Sequence, residues 1–192
     1  IPPWRRLIPA HARTHGSRCA ASSKSGTRWR THSNRVRAAT GAKPSIEELE
    51  RYATVLRMHC VRMLAVAKSG HLDSSLSAAD IVAALYHRVL RHDPKNPKWP
   101  ERDRFVLSKG HAAPIQYAAL AEHGYFPPQD LMGLRQIGSH LQGHPDMNRT
   151  PGIEVSTGSL GQGIGPGSGM ALAAKRAGDA HRIFVLQRDG EC

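Results

Sequence analysis

The first 46 residues contain no aspartate or glutamate: the earliest acidic residue is Glu47, and residues 1–45 carry ten Lys or Arg. The formal charge of +12 therefore belongs to a tail, because from Ile46 onward 17 basic residues (27 minus 10) face 15 acidic ones. No apolar run approaches the ~20 residues that a bilayer-spanning helix needs, and no secretory hydrophobic segment is present. Only three cysteines occur, Cys19, Cys60 and Cys192, with no Cys-x-x-Cys pair. That spacing argues against a metal knuckle or a disulfide framework and fits a reducing, cytoplasmic compartment. No solenoid repeat is visible, and no glycine-rich segment carries the Gly-Lys-Ser/Thr ending of a Walker loop.

The Arg/Ser-rich tail, residues 1–45, has few large aliphatics and no sustained period. It cannot bury enough apolar surface to offset the entropy of ordering, so it is expected to be disordered. An organellar transit peptide, a nucleic-acid-binding arm and poorly constrained upstream sequence all fit its composition. Nucleic-acid binding rests on these residues alone, since no nucleic-acid module follows them.

Residues 46–192 read as one domain. Ser45-Ile46-Glu47-Glu48 has the form of a capping box, and apolar residues from Ile46 to Ala67 recur at helical spacing, which predicts a helix of about six turns ending near Ser69-Gly70. A second helix is expected from about Ser77 through Leu90, then a proline-rich connector and a short strand, 104–108. Helices near 113–122, 128–137 and ending near Ala177, and a last strand at 183–187, complete the reading. Helices alternating with short unpatterned strands predict an α/β fold, a parallel sheet with helices on both faces.

In such folds ligands bind beyond the carboxyl ends of strands, where this chain carries Ser108-Lys109-Gly110-His111-Ala112 and Arg188-Asp189-Gly190-Glu191. His71, His111 and His144 each follow a glycine in a loop, where imidazole can donate, accept or hold a proton. His59, His87 and His123 fall on predicted helices and read as structural. The stretch 156–175 is a glycine-rich loop entering a helix, suited either to a phosphate or to close helix packing. Asp189-Gly190 is equally a cation ligand or a turn.

Taken together and in order, these motifs resemble the transketolases, and most closely the short N-terminal subunit of split transketolases, over about residues 46–192. The carriers are "KSGHLDSSLSAADIVAALY", "DPKNPKWPERDRFVLSKGHAAP", "LQGHPDMNRTPGIEVSTGSLGQGIG" and "FVLQRDGEC". The resemblance implies a thiamine-diphosphate-binding fold, thiamine diphosphate held with Mg²⁺, and transfer of a two-carbon ketol unit between sugar phosphates. It implies that His71 and His144 contact the donor sugar, that His111 lies by the cofactor, and that Gly158, Ser159 and Leu160 line it. Asp189 becomes a metal ligand, with Gly190 close to the diphosphate. A pyrimidine-binding C-terminal domain or subunit is the implied partner, in a homo- or hetero-oligomer.

Some positions depart from the family pattern. His-Pro-Gly-Gly reads His71-Leu72-Asp73-Ser74, and a His-Leu followed by small residues is also similar to deoxyxylulose-phosphate synthase. Pro166 falls inside an expected helix, where it costs about 3 kcal/mol unless it sits near the start. Arg188 stands where the family has the first glycine of Gly-Asp-Gly. Further ligands of the cation lie, in the family, beyond the Asp-Gly turn. The expectation is a fragment of a diphosphate-binding domain, inactive alone, or a degenerate, non-catalytic remnant.

Overall fold

The computed structural model describes residues 43–191, so the basic tail before Lys43, and Cys19 and Cys192, lie outside the described residues. Helix α1 spans Ile46–Ala67. The Ser45 hydroxyl accepts from the Glu48 amide (3.2 Å) while the Glu48 carboxylate accepts from the Ser45 amide (2.7 Å), satisfying two donors that a helix start otherwise leaves open. The helix ends where Lys68 turns left-handed and its amide returns to the Leu64 carbonyl. Ala53, Leu56, Cys60 and Met63 form its fully buried stripe.

The helix expected from about Ser77 through Leu90 is present without a break from Ala79 to Val89, changing type at Leu85, and an additional short helix precedes it. Helix α2 is short, Leu72–Leu76, and α3 covers Ala79–Ala84 before widening into a π-helical turn, Leu85–Val89. Tyr86 and His87, both buried, sit in that turn: Tyr86 meets Phe105 edge-on and His87 stacks on Tyr52, with ring centroids 4.3 Å apart. Strand β1 is Arg104–Leu107, and a 3₁₀ turn, Gly110–Ala112, leads directly into helix α4, Ala113–His123. Every residue of α4 is buried, as the absence of a polar stripe requires. The helix expected at 128–137 is only a 3₁₀ segment, Pro128–Gly133; Arg135 turns left-handed (φ 59°) and Gly138 does likewise, closing off any continuation.

Helix α5 runs Ile164–Ala177 and strand β2 is Ile183–Leu186. Pro166 is its third residue, where a helical amide has no intrahelical acceptor; the first return bond is from the Gly167 amide to the Gly163 carbonyl, 3.2 Å. The proline penalty expected inside a helix is therefore not incurred.

Strands β1 and β2 pair in parallel, Phe105 opposite Phe184 and Leu107 opposite Leu186. These four side chains join the core that α1, α3 and α4 build. On the other face Ile183 and Val185 lie against Gly167 of α5, whose missing side chain lets the helix approach. Helices thus cover both faces of a parallel pair, the α/β arrangement the alternation predicts. Full burial of Leu56, Met63, Leu107, Ile115, Leu120 and Leu131 contributes about 1.5–3 kcal/mol each. The strand ends point to one edge, where the two glycine-bearing turns meet.

Candidate cofactor site

β1 does not stop its hydrogen bonding at Leu107: the Ser108 amide donates to the Leu186 carbonyl at 2.9 Å, which holds the two strand ends side by side. From there Lys109, only 7% exposed, reaches under α2, its ammonium donating to the Ser74 carbonyl (3.1 Å) and Ser77 hydroxyl (3.2 Å). His111 Nε2 lies 3.0 Å from the Ser74 hydroxyl. The residues that replace two family glycines are thus engaged with this turn through Ser74, and the charge that Asp73 introduces faces the same pocket as Lys109.

The glycine-rich loop docks on the turn from the other side. The Thr157 hydroxyl donates to the Leu107 carbonyl at 2.7 Å. A Cβ on Gly110 would lie 2.7 Å from the Thr157 carbonyl and 2.8 Å from the Gly158 nitrogen, and one on Gly163 would lie 2.5 Å from Ser108 Cβ. Both are closer than atoms tolerate, so bare backbone at these two positions is what allows the loops to touch. His144 completes the wall: a side chain on Gly158 would meet its ring at 3.2 Å. Its carbonyl and that of Gln142 lie 3.0 Å from the buried Tyr117 hydroxyl, which anchors the turn.

Of the expected site residues, His71 and His111 are brought together, ring centroids 5.1 Å apart and edge to face. Burial lowers the pKa of His111, and the neighbouring His71, Arg188 and Lys109 lower it further. Burial also lowers that of His144, with Arg135 and His71 contributing. Both imidazoles are therefore held neutral at pH 7, able to donate from one nitrogen and accept at the other.

A pocket of about 330 Å³ opens between α2, Lys109 and the segment after β2, lined by Ser74, Ser77, Lys109, Arg188 and the carboxylates of Asp73 and Asp189. The other expected site residues, His71, His111, His144, Gly158, Ser159, Leu160 and Gly190, do not line it, and Leu160 is half exposed. Asp189 is almost wholly exposed and lies 3.6 Å from Arg188 Nε. Among the described residues no cluster of three or more His, Cys, Asp or Glu could hold a metal ion, so Asp189 stands as one carboxylate. Gly190 is open, with nothing within 4 Å of where a Cβ would be.

Glu191 belongs to the expected Arg188–Glu191 strand-end segment but had no role of its own there. Its carboxylate accepts from the Gly161 amide (2.9 Å), the Ser108 hydroxyl (3.0 Å) and the Arg188 amide. Burial works against its charge, but these donors outweigh it and the pKa is lowered. A backbone amide and a hydroxyl converging on an oxyanion mark a place suited to anions, and Lys109 and Arg188 beside it supply the charge. The donors that line the pocket itself, Lys109, Arg188, Ser74 and Ser77, are of a kind that fits a diphosphate, with the carboxylates of Asp73 and Asp189 facing the same space. Lys109, Ser74 and Ser77 were legible only as parts of longer motifs, since none is distinctive alone.

Comparison with known proteins places this arrangement. Residues 49–183 match the family described as transketolase, thiamine diphosphate binding domain. The chain is 46% identical over 144 residues to the 6-deoxy-6-sulfo-D-fructose transketolase subunit SqwG of Clostridium sp. (strain MSTE9), covering 75% of this chain and 52% of the relative. It is 43% identical to an apulose-4-phosphate transketolase subunit of Actinobacillus succinogenes, covering 77% of this chain and 54% of that one. The crystal structure of transketolase from Campylobacter jejuni superposes with a TM-score of 0.71 at 38% identity, over 77% of this chain and 24% of that one. The chain thus spans about half the length of the subunit relatives and about a quarter of the larger enzyme.

Proposed function

The chain belongs to the transketolase family, through its thiamine-diphosphate-binding domain, and from that premise we propose that it forms the diphosphate-binding half of an enzyme transferring a two-carbon ketol unit between sugar phosphates. The observation that carries the proposal is the meeting of Gly110 with Thr157 and Gly158, which gathers His71, His111 and His144 around one edge of the sheet next to a polar pocket that Lys109, Arg188, Asp73 and Asp189 line.

Lys109 and Arg188, with the hydroxyls of Ser74 and Ser77, would hold the diphosphate of thiamine diphosphate. Asp189 would supply the protein's carboxylate to Mg²⁺, a cation that commonly binds one or two carboxylates together with phosphate oxygens. When bound, the cofactor supplies a nucleophilic carbon that accepts and releases the ketol unit. The chain's own residues orient and neutralise. His71 and His144, on the open rim, would hydrogen bond the hydroxyls of the donor sugar, and neutral His111, fixed against Ser74, would donate or accept a proton without adding a cation beside the phosphates.

A pyrimidine-binding domain or subunit is the proposed partner; both bacterial relatives named above are called subunits of transketolases. The test is calorimetric titration of the chain with thiamine diphosphate in the presence and absence of Mg²⁺, followed by a ketol-transfer assay after mixing with a pyrimidine-binding subunit. Saturable binding that requires Mg²⁺ supports the reading. Absence of binding to the chain and to the mixed complex refutes it and favours a degenerate remnant.

A further inference from the structure

A second cleft, of about 840 Å³, lies between the turn at 95–98 and the segment 147–154 and shares no lining residue with the cofactor pocket. Four cations line it, Lys95, Lys98, Arg102 and Arg149, against one carboxylate, Glu154. That carboxylate is already spent: Arg102 Nε and Nη2 donate to its two oxygens at 2.8 and 2.7 Å, while Nη1 donates to the Trp99 carbonyl at 2.7 Å. The bidentate pair ties one wall of the cleft to the other and leaves no acid facing the remaining cations. Among the described residues no carboxylate lies within ion-pair distance of Lys95 or Lys98, and Arg149 has only a loose approach to Asp146 at 3.6 Å.

Both walls are fixed before any ligand arrives. The Lys95 and Asn96 amides donate to Asp93 at 2.9 and 3.1 Å, and the Asn148 and Thr150 amides donate to Asp146 at 2.9 and 3.0 Å. Pro97, Met147 and Pro151 add apolar surface, and Ile153 forms a buried floor. The lining contains no histidine or cysteine and no free carboxylate, so the cleft is equipped to bind rather than to catalyse.

We infer that this cleft is a binding site for a multiply charged, phosphate-bearing small molecule of nucleotide size. Lys95, Lys98 and Arg149 would hold its phosphates, and the proline and methionine surfaces its uncharged body. The volume falls within that of small-molecule pockets, and two lysines without carboxylate partners beside the loosely paired Arg149 favour an anion of more than one charge. The concave, bridged shape favours a compact ligand over an acidic peptide.

The experiment uses ATP as the probe, titrated into the full chain by calorimetry at low salt. Saturable binding is expected, undiminished by saturating thiamine diphosphate and weakened about tenfold or more in the Lys95→Glu/Lys98→Glu double variant, while Lys109→Ala leaves it unchanged. Circular dichroism confirms folding, and the milder Lys95→Gln/Lys98→Gln pair serves if the reversed charges disturb it.

Four results would overturn the assignment. These are no saturable binding; binding displaced by thiamine diphosphate or lost in Lys109→Ala, which reports the cofactor pocket; an equal loss in Lys175→Glu on the exposed side of α5, which reports overall charge; and tighter capture of a hexaglutamate peptide, which assigns the cleft to an acidic segment. Thiamine diphosphate affinity measured on the same samples separates this outcome from that of the cofactor site.

Discussion

Asp103 and Arg182 face each other one residue before the two strands, and the bond between them sets the register: Asp103 accepts from the Arg182 amide at 2.8 Å and from its guanidinium at 2.6 Å. The Arg91 amide and guanidinium add two more donors, at 2.9 and 3.3 Å. The Asp103 carboxylate is fully buried, whereas the two arginines are about half exposed. Burial works to raise its pKa, but the four donors outweigh it and hold it at about 2, below the ordinary 3.8.

A depressed folded-state pKa stabilises the protein above the unfolded value, and that contribution is lost as pH falls through the folded one. Stability is therefore expected to be constant with respect to this group above about pH 5 and to decline between pH 4 and 2. In Asp103→Asn that part of the acid dependence is reduced, and Asp103→Ala costs about 3 kcal/mol by leaving the strand starts without their shared acceptor. Urea unfolding across this pH range checks both.

Gly110→Ala is expected to lower stability by about 1–3 kcal/mol and to weaken thiamine diphosphate binding, because the new methyl would meet backbone of Thr157 and Gly158 that cannot yield without moving the loop. Gly143→Ala, in contrast, meets the Arg135 guanidinium at 2.9 Å. A flexible side-chain end can shift, so the cost is expected below about 1 kcal/mol. Paired chemical denaturation and cofactor titration distinguish a backbone collision from a side-chain one.

Arg188 shares its pocket with Lys109, whose pKa is lowered by burial and then by the Arg188 charge. Asp73 and Asp189 line the same pocket, so these two cations are the groups with which a bound anion would pair. Arg188→Ala is expected to weaken inorganic pyrophosphate binding about tenfold, read by calorimetry. Tighter binding in the variant would show instead that the side chain obstructs the glycine's place.

Cys60 is buried in the helical core and its thiol is pushed up to about 12 by desolvation. It is expected to resist iodoacetamide at pH 8 in the folded chain and to react on unfolding. Peptide mapping by mass spectrometry follows this residue separately from Cys19 and Cys192.

Gly169 lies inside α5 with nothing within 4 Å of the place a methyl would occupy. Gly169→Ala is expected to stabilise the chain by about 0.5–1 kcal/mol, seen as a raised melting temperature with cofactor affinity unchanged.

Local chemistry alone determined much of this protein. The Ser45–Glu48 box, the apolar spacing of α1 and the β-branched run of β2 are readable because each depends on neighbours within a few residues. The histidines read as structural, His59, His87 and His123, are buried, and His59 lies 2.8 Å from the Glu122 carboxylate. His71, His111 and His144 were legible through motif order, and the family they point to is the one that matches.

What tertiary structure alone decided is where local preference was balanced or overruled. The helix expected from Ser77 changes to a π turn at Leu85–Val89, where Tyr86 and His87 meet Phe105 and Tyr52, partners far away in sequence. Pro166 became harmless through its position in the first turn of α5. Glu191 entered the site only because parallel pairing of β1 and β2 carries it to Ser108 and Gly161, 83 and 30 residues away in sequence. Contacts at such separations depend on strand register, a property of two segments together that neither segment encodes by itself.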